Sequence, residues 1–468
     1  MAQRRRISKI AITGLHDTFD YNLTFPKGED TIILIAPNGY GKTALLSLLN
    51  DCLTLNLGRA AKNVFERLDI HFEDKSRWSF ERKWEEGLNS DEMSASQRRR
   101  NSWGEQYRRR ITNPYWVDLT QYDKKGERIV EELPDLSTSE RSTILRNIER
   151  HEPWILHNPD SGSRNRAVRD NYSREALMQY FTLIENDDSI RSMVSKTLPN
   201  FVWPSAKKLE CLFIETQRIL YEDKNRESGH DSPSHREEIV RQSNRLSELL
   251  QESYSEYAAT SQSLDRSFPS RLIKRAEKNL EVREDNLKSE LSKVEDKRKK
   301  LTEVGILVEQ SDTIAANEAK ISPKVFDALQ VYVEDSKRKL STYDEIYPKL
   351  QIFTELIAKK LGPKKLTISR DAGASLKNSK GELDLTSLSS GEKHEFIMLF
   401  KLIFDTSSES IVLIDEPEIS LHVVWQLHFM ADLRRIQEQN PFQSIIATHS
   451  PQVFQGFRHL LIDLAEQA

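Results

Sequence analysis

The feature that most constrains this chain is a glycine-rich turn wedged between an apolar run and an apolar helix. The stretch TIILIAPNGYGKTALLSLLND reads as a buried strand at Ile32 to Ile35, a tight loop at Pro37-Asn38-Gly39-Tyr40-Gly41, and a helix that opens near Ala44. Glycines let backbone N–H groups converge on an anion, and the helix N-terminus adds a favourable dipole. Lys42 and Thr43 complete the pattern G-x-x-x-x-G-K-[ST], in which the lysine reaches phosphate oxygens and the hydroxyl ligates Mg²⁺. Ala36 stands where the first glycine belongs, a small departure from the pattern. The expected phosphate contacts are Asn38, Gly39, Tyr40, Gly41, Lys42, Thr43 and Ala44. A lone glycine turn before a helix is weak evidence, but here strand and helix stand on the correct sides.

A matching partner lies near the other end of the chain. Between Leu385 and Pro451 the sequence runs LTSLSSGEKHEFIMLFKLIF, then SIVLIDEPEISLH, then SIIATHSPQ. The apolar run from Ser410 to Ile414 reads as a strand closed by Asp415-Glu416. Asp415 is expected to hold Mg²⁺ through water, and Glu416 to polarise an attacking water as general base. Ile445 to Ala447 reads as another buried strand, followed by Thr448-His449-Ser450. A lone histidine is more often structural, but one that follows a strand beyond an Asp-Glu pair is a candidate for function.

Taken in this order, the motifs resemble the head of an ABC-type ATPase. Leu388-Ser389-Ser390-Gly391-Glu392 resembles the signature L-S-G-G-Q, at the start of a helix over 391–404. The resemblance implies that Ser389, Ser390, Gly391 and Glu392 contact the γ-phosphate of ATP held by another subunit. Ser390 and Glu392 replace Gly and Gln, as they do in the chromosome-maintenance and repair branch. Pro417 to His422 resembles the loop that crosses the dimer interface, and His449 matches the switch histidine. KKLECLFIETQRIL (207–220) reads as a strand at Leu212 to Ile214, and the resemblance implies that it delivers Gln217 toward Mg²⁺ and the attacking water, with Arg218 expected to face a phosphate or a partner subunit. The implied cofactors are ATP and Mg²⁺. The implied fold is α/β: a mixed sheet with flanking helices and an antiparallel β subdomain, carrying a helical, partly coiled-coil hairpin insertion. ATP read by two subunits would hold a homo-oligomer of ATP-sandwich dimers together, and cleavage, with slow turnover, would loosen them.

Composition narrows the rest. At 468 residues the chain is long enough for two or three units of roughly 150 residues each. Mean hydropathy is −0.63, polar for a single globule. The net charge of −4 forces no general affinity for polyanions. The two cysteines, Cys52 and Cys211, argue against a disulfide framework or a zinc site and fit a reducing, cytoplasmic setting. No apolar run approaches the roughly 20 residues of a membrane span, so no membrane association is expected.

The expected boundaries are 1–84 for an N-terminal lobe, 85–205 for a mixed insertion, 206–225 for the Gln217 strand, 226–320 for the helical hairpin and 321–468 for the C-terminal lobe. In the first lobe, 7–13, 21–25, 67–72 and 77–83 alternate as half-buried strands do. The mixed insertion holds Arg98-Arg99-Arg100 and Arg108-Arg109-Arg110 with Trp103 and Tyr107 between them, a pattern that grips phosphates and stacks on bases or is a solvated face. SREALMQYFTLIEN (173–186) reads as a helix. In the helical part, Ser267-Phe268-Pro269-Ser270 predicts a break between two arms of about 45 Å each. Further on, Pro348 predicts a kink, and 365–370 with 374–385 predict a hairpin turning near Ser379-Lys380-Gly381.

Within the superfamily, LHDTFDYNLTF, PNGYGKTALL, ETQRIL and LSSGEKHEF look most like the stand-alone ATPases of bacterial anti-phage defence. The AriA family of the PARIS systems is the nearest resemblance. The PtuA family of Septu systems comes next, and the overcoming-lysogenization and chromosome-maintenance ATPases are more distant. The resemblance implies a scaffold that holds a separately encoded nuclease, Toprim-like (AriB) or of HNH type if Septu-like, and that answers a phage trigger protein. With roughly 20 residues after His449, no nuclease is expected in the same chain. The competing reading is a repair or chromosome ATPase that binds DNA directly.

Overall fold

A strand that must be covered on both faces has no polar side, so it appears in sequence as a continuous apolar run. The run before the glycine loop is of this kind, and it sits inside a parallel sheet. A computed structural model describes residues 5–84, 115–129, 209–217, 220–222, 235–277, 284–307, 322 and 325–467. In chain order they form β1 (Ile7–Leu15), β2 (Phe19–Thr24), β3 (Thr31–Ile35), α1 (Lys42–Leu53), α2 (Leu57–Ala60), β4 (Arg67–Phe72), β5 (Arg77–Trp84), β6 (Tyr115–Tyr122), β7 (Arg128–Ile129) and β8 (Cys211–Ile214). Then come β9 (Leu220–Glu222), β10 (His235–Glu237), α3 (Glu238–Glu277), α4 (Glu284–Glu303), α5 (Phe326–Leu340) and α6 (Ile346–Ala358). The last elements are β11 (Lys365–Ser369), β12 (Gly373–Asn378), β13 (Gly381–Leu383), α7 (Ser390–Phe404), β14 (Ile411–Asp415), α8 (Val423–Gln439), β15 (Gln443–Ala447) and β16 (Leu461–Asp463).

The chain divides into two units. The first comprises Met1–Glu215, Ser407–Pro417 and Pro441–Ala468, and the second Thr216–Thr406 and Glu418–Asn440. The first unit holds a five-stranded sheet in the order β16-β3-β15-β14-β8, with every neighbouring pair parallel. Strands β14 and β15 are buried throughout. A six-stranded antiparallel sheet, β2-β1-β4-β5-β6-β7, belongs to the same unit. Its strands alternate: β4 buries Leu68, Ile70 and Phe72 and turns the residues between them outward. These side chains join Leu45, Leu46, Leu48 and Leu49 of α1 and Ile411, Leu413 and Ile445 of the parallel sheet in one core. Gln443 ties the two sheets together, accepting from the Ile7 N–H at 2.7 Å and donating to the Ile7 carbonyl at 2.9 Å. Of the insertion expected over 85–205, the described part adds β6 and β7 to the antiparallel sheet. Both arginine triplets, the helix expected over 173–186 and Arg218 lie outside the described residues.

The second unit corrects several expectations. Helix α3 does not break at Pro269 but runs through it as a 40-residue helix, about 60 Å long. Proline removes one N–H from the ladder and crowds the carbonyl of residue 265. Nearby side chains add hydrogen bonds to the carbonyls just before it. The Ser267 hydroxyl donates to Ser263 O and Leu264 O, both at 3.1 Å, and the Arg271 guanidinium donates to Leu264 O at 2.8 Å. Arg271 also forks onto the buried Asp335 of α5. Helix α5 lies against both α3 and α4, burying Leu264, Leu287, Leu291, Val294 and Val331. The next helical block pauses at Ser341–Tyr343, before Pro348. Pro348 itself sits in the first turn of α6, where its missing N–H is not needed. The expected hairpin over 365–385 is a three-stranded meander, β11-β12-β13. Behind α7, Lys360 is buried and bonded to Glu395 and, at 2.8 Å, to Asp432. Burial works against the charge on Lys360, but the two carboxylates outweigh it and raise its pKa. Among the described residues, no helix is long and apolar enough to cross a membrane.

Candidate functional site

Parallel strands present all their carboxyl ends on one edge, and loops that follow neighbouring strands therefore meet there. In the first unit β15 lies between β3 and β14. The glycine loop follows β3, Thr448-His449 follows β15, and Asp415 ends β14. Residues from opposite ends of the chain are thus brought to a single edge.

The contacts there are specific. The Thr43 hydroxyl donates to Asp415 Oδ2 at 2.8 Å. Lys42 is buried, and its Nζ donates to Ala36 O at 2.8 Å and Pro37 O at 3.3 Å, curling the loop around its own ammonium. Gly39 and Gly41 have φ of +93° and +72°. Such left-handed residues turn successive N–H groups into a concave, anion-binding array. A Cβ on Gly41 would also lie 3.2 Å from Leu15 and 3.4 Å from the His16 ring. Ala36 is not among the positive-φ residues, so a methyl group is tolerated where the pattern has its first glycine. Asn38 and Thr43 are exposed, and Ala44 is half-buried.

Glu416 is held at φ +48°, a left-handed conformation that costs a non-glycine residue about 1–3 kcal/mol. Its N–H donates to Ala447 O at 2.9 Å, and its Oε1 lies 3.8 Å from His449 Nε2. The strained turn therefore aims the carboxylate at the histidine that follows the neighbouring strand. Thr43 Oγ1 and Asp415 Oδ2 are hard oxygens at a spacing that suits Mg²⁺, which keeps several of its waters. The donor set fits Mg²⁺ with a nucleotide phosphate.

The family described as "AAA domain, putative AbiEii toxin, Type IV TA system" matches residues 204–454, more than half of the chain. The chain belongs to this AAA-domain family. The match includes Gln217, Ser389 to Glu392, Asp415, Glu416 and His449, and the glycine loop lies upstream of it. Comparison with curated proteins gives no match. Among solved structures, an Smc head bound to the C-terminal winged-helix domain of ScpA is 10% identical, covering 96% of this chain and 91% of that one, with a TM-score of 0.34. An Smc head with an extended coiled coil, bound to the C-terminal domain of ScpA and derived from Pyrococcus furiosus, is 12% identical with the same coverage and a TM-score of 0.32.

The remaining candidates of this AAA domain belong to its second unit. Gln217 is exposed, three residues beyond the end of β8. Ser389 is the N-cap of α7 and forms a capping box with Glu392, whose Oε2 accepts from the Ser389 N–H at 2.8 Å and from its hydroxyl at 2.9 Å. Sequence reasoning missed Lys364, which donates to both Glu392 oxygens at 2.7 and 2.9 Å. Burial raises the Glu392 carboxyl, but the Lys364 and Ser389 hydrogen bonds outweigh it and hold the group below its ordinary value. Glu392 is therefore a neutralised anchor rather than an open negative charge. Gly391 is required by close approach, since a Cβ there would lie 2.4 Å from Ser420 O. His16 and Asp17 are a second omission. Their φ values of +54° and +56° fold the β1–β2 turn against the glycine loop, and no local pattern in the sequence announces that geometry.

Proposed function

We propose that this AAA domain binds ATP with Mg²⁺ and hydrolyses it slowly, as an oligomeric sensor and scaffold of an anti-phage defence system that restrains a separately encoded nuclease. The observation that carries the nucleotide part is the Thr43–Asp415 hydrogen bond, which joins the glycine loop to the carboxylate across the chain. Bound Mg²⁺ would supply electrostatic stabilisation of the phosphoryl oxygens. Lys42 and the Gly39 to Ala44 backbone would cradle the phosphates, leaving Ala36 O and Pro37 O. Thr43 and Asp415 would hold the ion. Glu416 would orient and deprotonate the attacking water, with His449 and Gln217 fixing its position. Residues 1–84, 206–225 and 321–468 make up the nucleotide-binding head in this reading.

The trans role of Ser389 to Glu392 asks for a second copy. Three large apolar side chains, Val423, Val424 and Leu427, are exposed within the first turns of α8, and such clusters mark interaction surfaces. The defence assignment rests on the sequence resemblance to stand-alone defence ATPases and on a family described by toxin–antitoxin function. Its test is the mass of the tagged protein and its native companions, purified with Mg·ATP. An oligomer carrying a nuclease subunit is expected. A monomer that binds DNA in an ATP-dependent way and carries no nuclease contradicts the proposal and favours a repair or chromosome ATPase.

A further inference from the structure

We propose that Tyr21 is a positioning residue for the phosphate loop, fixing which way the Tyr40–Gly41 peptide faces. The inference rests on the reading of Gly39 to Thr43 as a phosphate cradle. Tyr21 lies on β2 and is fully buried, and its hydroxyl donates to the Tyr40 carbonyl at 2.8 Å. In a trans peptide the carbonyl of one residue and the N–H of the next point in opposite directions. A bond that draws the Tyr40 carbonyl toward β2 therefore turns the Gly41 N–H away from β2. Gly41, at φ +72°, supplies one of the two torsions that rotate this peptide, and Gly39, at φ +93°, precedes Tyr40. Glycine populates both signs of φ with similar ease, so the Gly41 torsion selects the orientation only weakly. Flipped, the peptide would present a carbonyl oxygen where an anion needs an N–H.

The brace has further parts. The Phe19 ring stacks on Tyr21 at 5.7 Å between centroids and on Tyr40 at 5.6 Å, filling the space between hairpin and loop. On another side of the loop, Leu15 and His16 abut Gly41. The β1–β2 hairpin thus supports the loop at successive residues and reaches one carbonyl by hydrogen bond. Burial, with the neighbouring Tyr40 hydroxyl adding to it, pushes the Tyr21 phenol up to about 12. The hydroxyl therefore remains a donor across the physiological range.

Tyr21→Phe keeps the ring and removes only the donor. Equilibrium titration with Mg·ATP and Mg·ADP is expected to show binding weakened about three- to tenfold for both, the range for one lost hydrogen bond. Steady-state kinetics should place the effect in KM, with kcat within about twofold of the wild type. A purely structural tyrosine would lower the unfolding midpoint of the nucleotide-free protein and leave both dissociation constants unchanged, which overturns the proposal. Phe19→Leu, which thins the packing but keeps the hydroxyl bond, should weaken binding less than Tyr21→Phe, and the reverse order also overturns it. Absence of Mg·ATP binding by the wild type would overturn the nucleotide reading itself. Binding by the wild type that Tyr21→Phe does not alter removes this inference alone.

Discussion

At the scale of single residues, the candidate site was legible where chemistry follows directly from chain order. Lys42, Thr43, Asp415, Glu416 and His449 each stand just after an apolar run, and parallel strands bring such positions to one edge. What could not be read was how these groups are held. The left-handed turn at Glu416, the Lys364 clamp on Glu392 and the Tyr21 bond to the loop depend on residues distant in sequence, and no local spacing encodes them. Asp51 was missed for the same reason. It lies on α1, the helix that the glycine loop opens, and is 2% exposed. Burial pushes its carboxyl from 3.8 up to about 6, with Arg59 and Lys62 opposing that shift only in part. The folded state then retains a proton that the unfolded state releases, so stability falls as pH rises from about 4 to about 6. Asp51→Asn should flatten that fall and raise stability at neutral pH by at most about 3 kcal/mol. Urea unfolding at pH 4 and pH 7 checks it, and a wild-type slope retained in the variant contradicts it.

At the scale of elements, strands were read more securely than helix ends. Continuous apolar runs and clean alternation are properties of a strand's own sequence, and β3, β4, β5, β14 and β15 all carry them. Helix continuity at Pro269 is a different kind of property. Local propensity favours a break there, and the Ser267 and Arg271 side chains, with Asp335 on another helix, reverse the outcome. The meander over 365–383 was half legible for a similar reason, because its first turn lacks a strong glycine or proline signal before Gly373. Because α3 is continuous through Pro269, Pro269→Ala restores a ladder hydrogen bond and relieves the clash with residue 265. It should stabilise the protein by about 1–3 kcal/mol. Chemical denaturation with hydrogen exchange at the new amide measures this. A variant no more stable than the wild type, with an unprotected amide at 269, contradicts the continuous helix.

At the scale of the whole molecule, the chain assembles one edge of a parallel sheet from segments that lie far apart in sequence. A glycine loop alone is a common turn, and an Asp-Glu pair alone is a common strand end. Their convergence through Thr43 and Asp415 makes a nucleotide site the economical reading, and membership of the AAA-domain family agrees with it. Partner and trigger were legible only by resemblance, because what a scaffold holds is written on surfaces rather than in motifs. The central claim is that this edge binds Mg·ATP through Lys42. Equilibrium binding of Mg·ATP to the wild type and to Lys42→Ala tests it most directly. Saturable binding by the wild type, lost or weakened at least about a hundredfold in the folded variant, is the predicted result. Equal binding by the two proteins would contradict it.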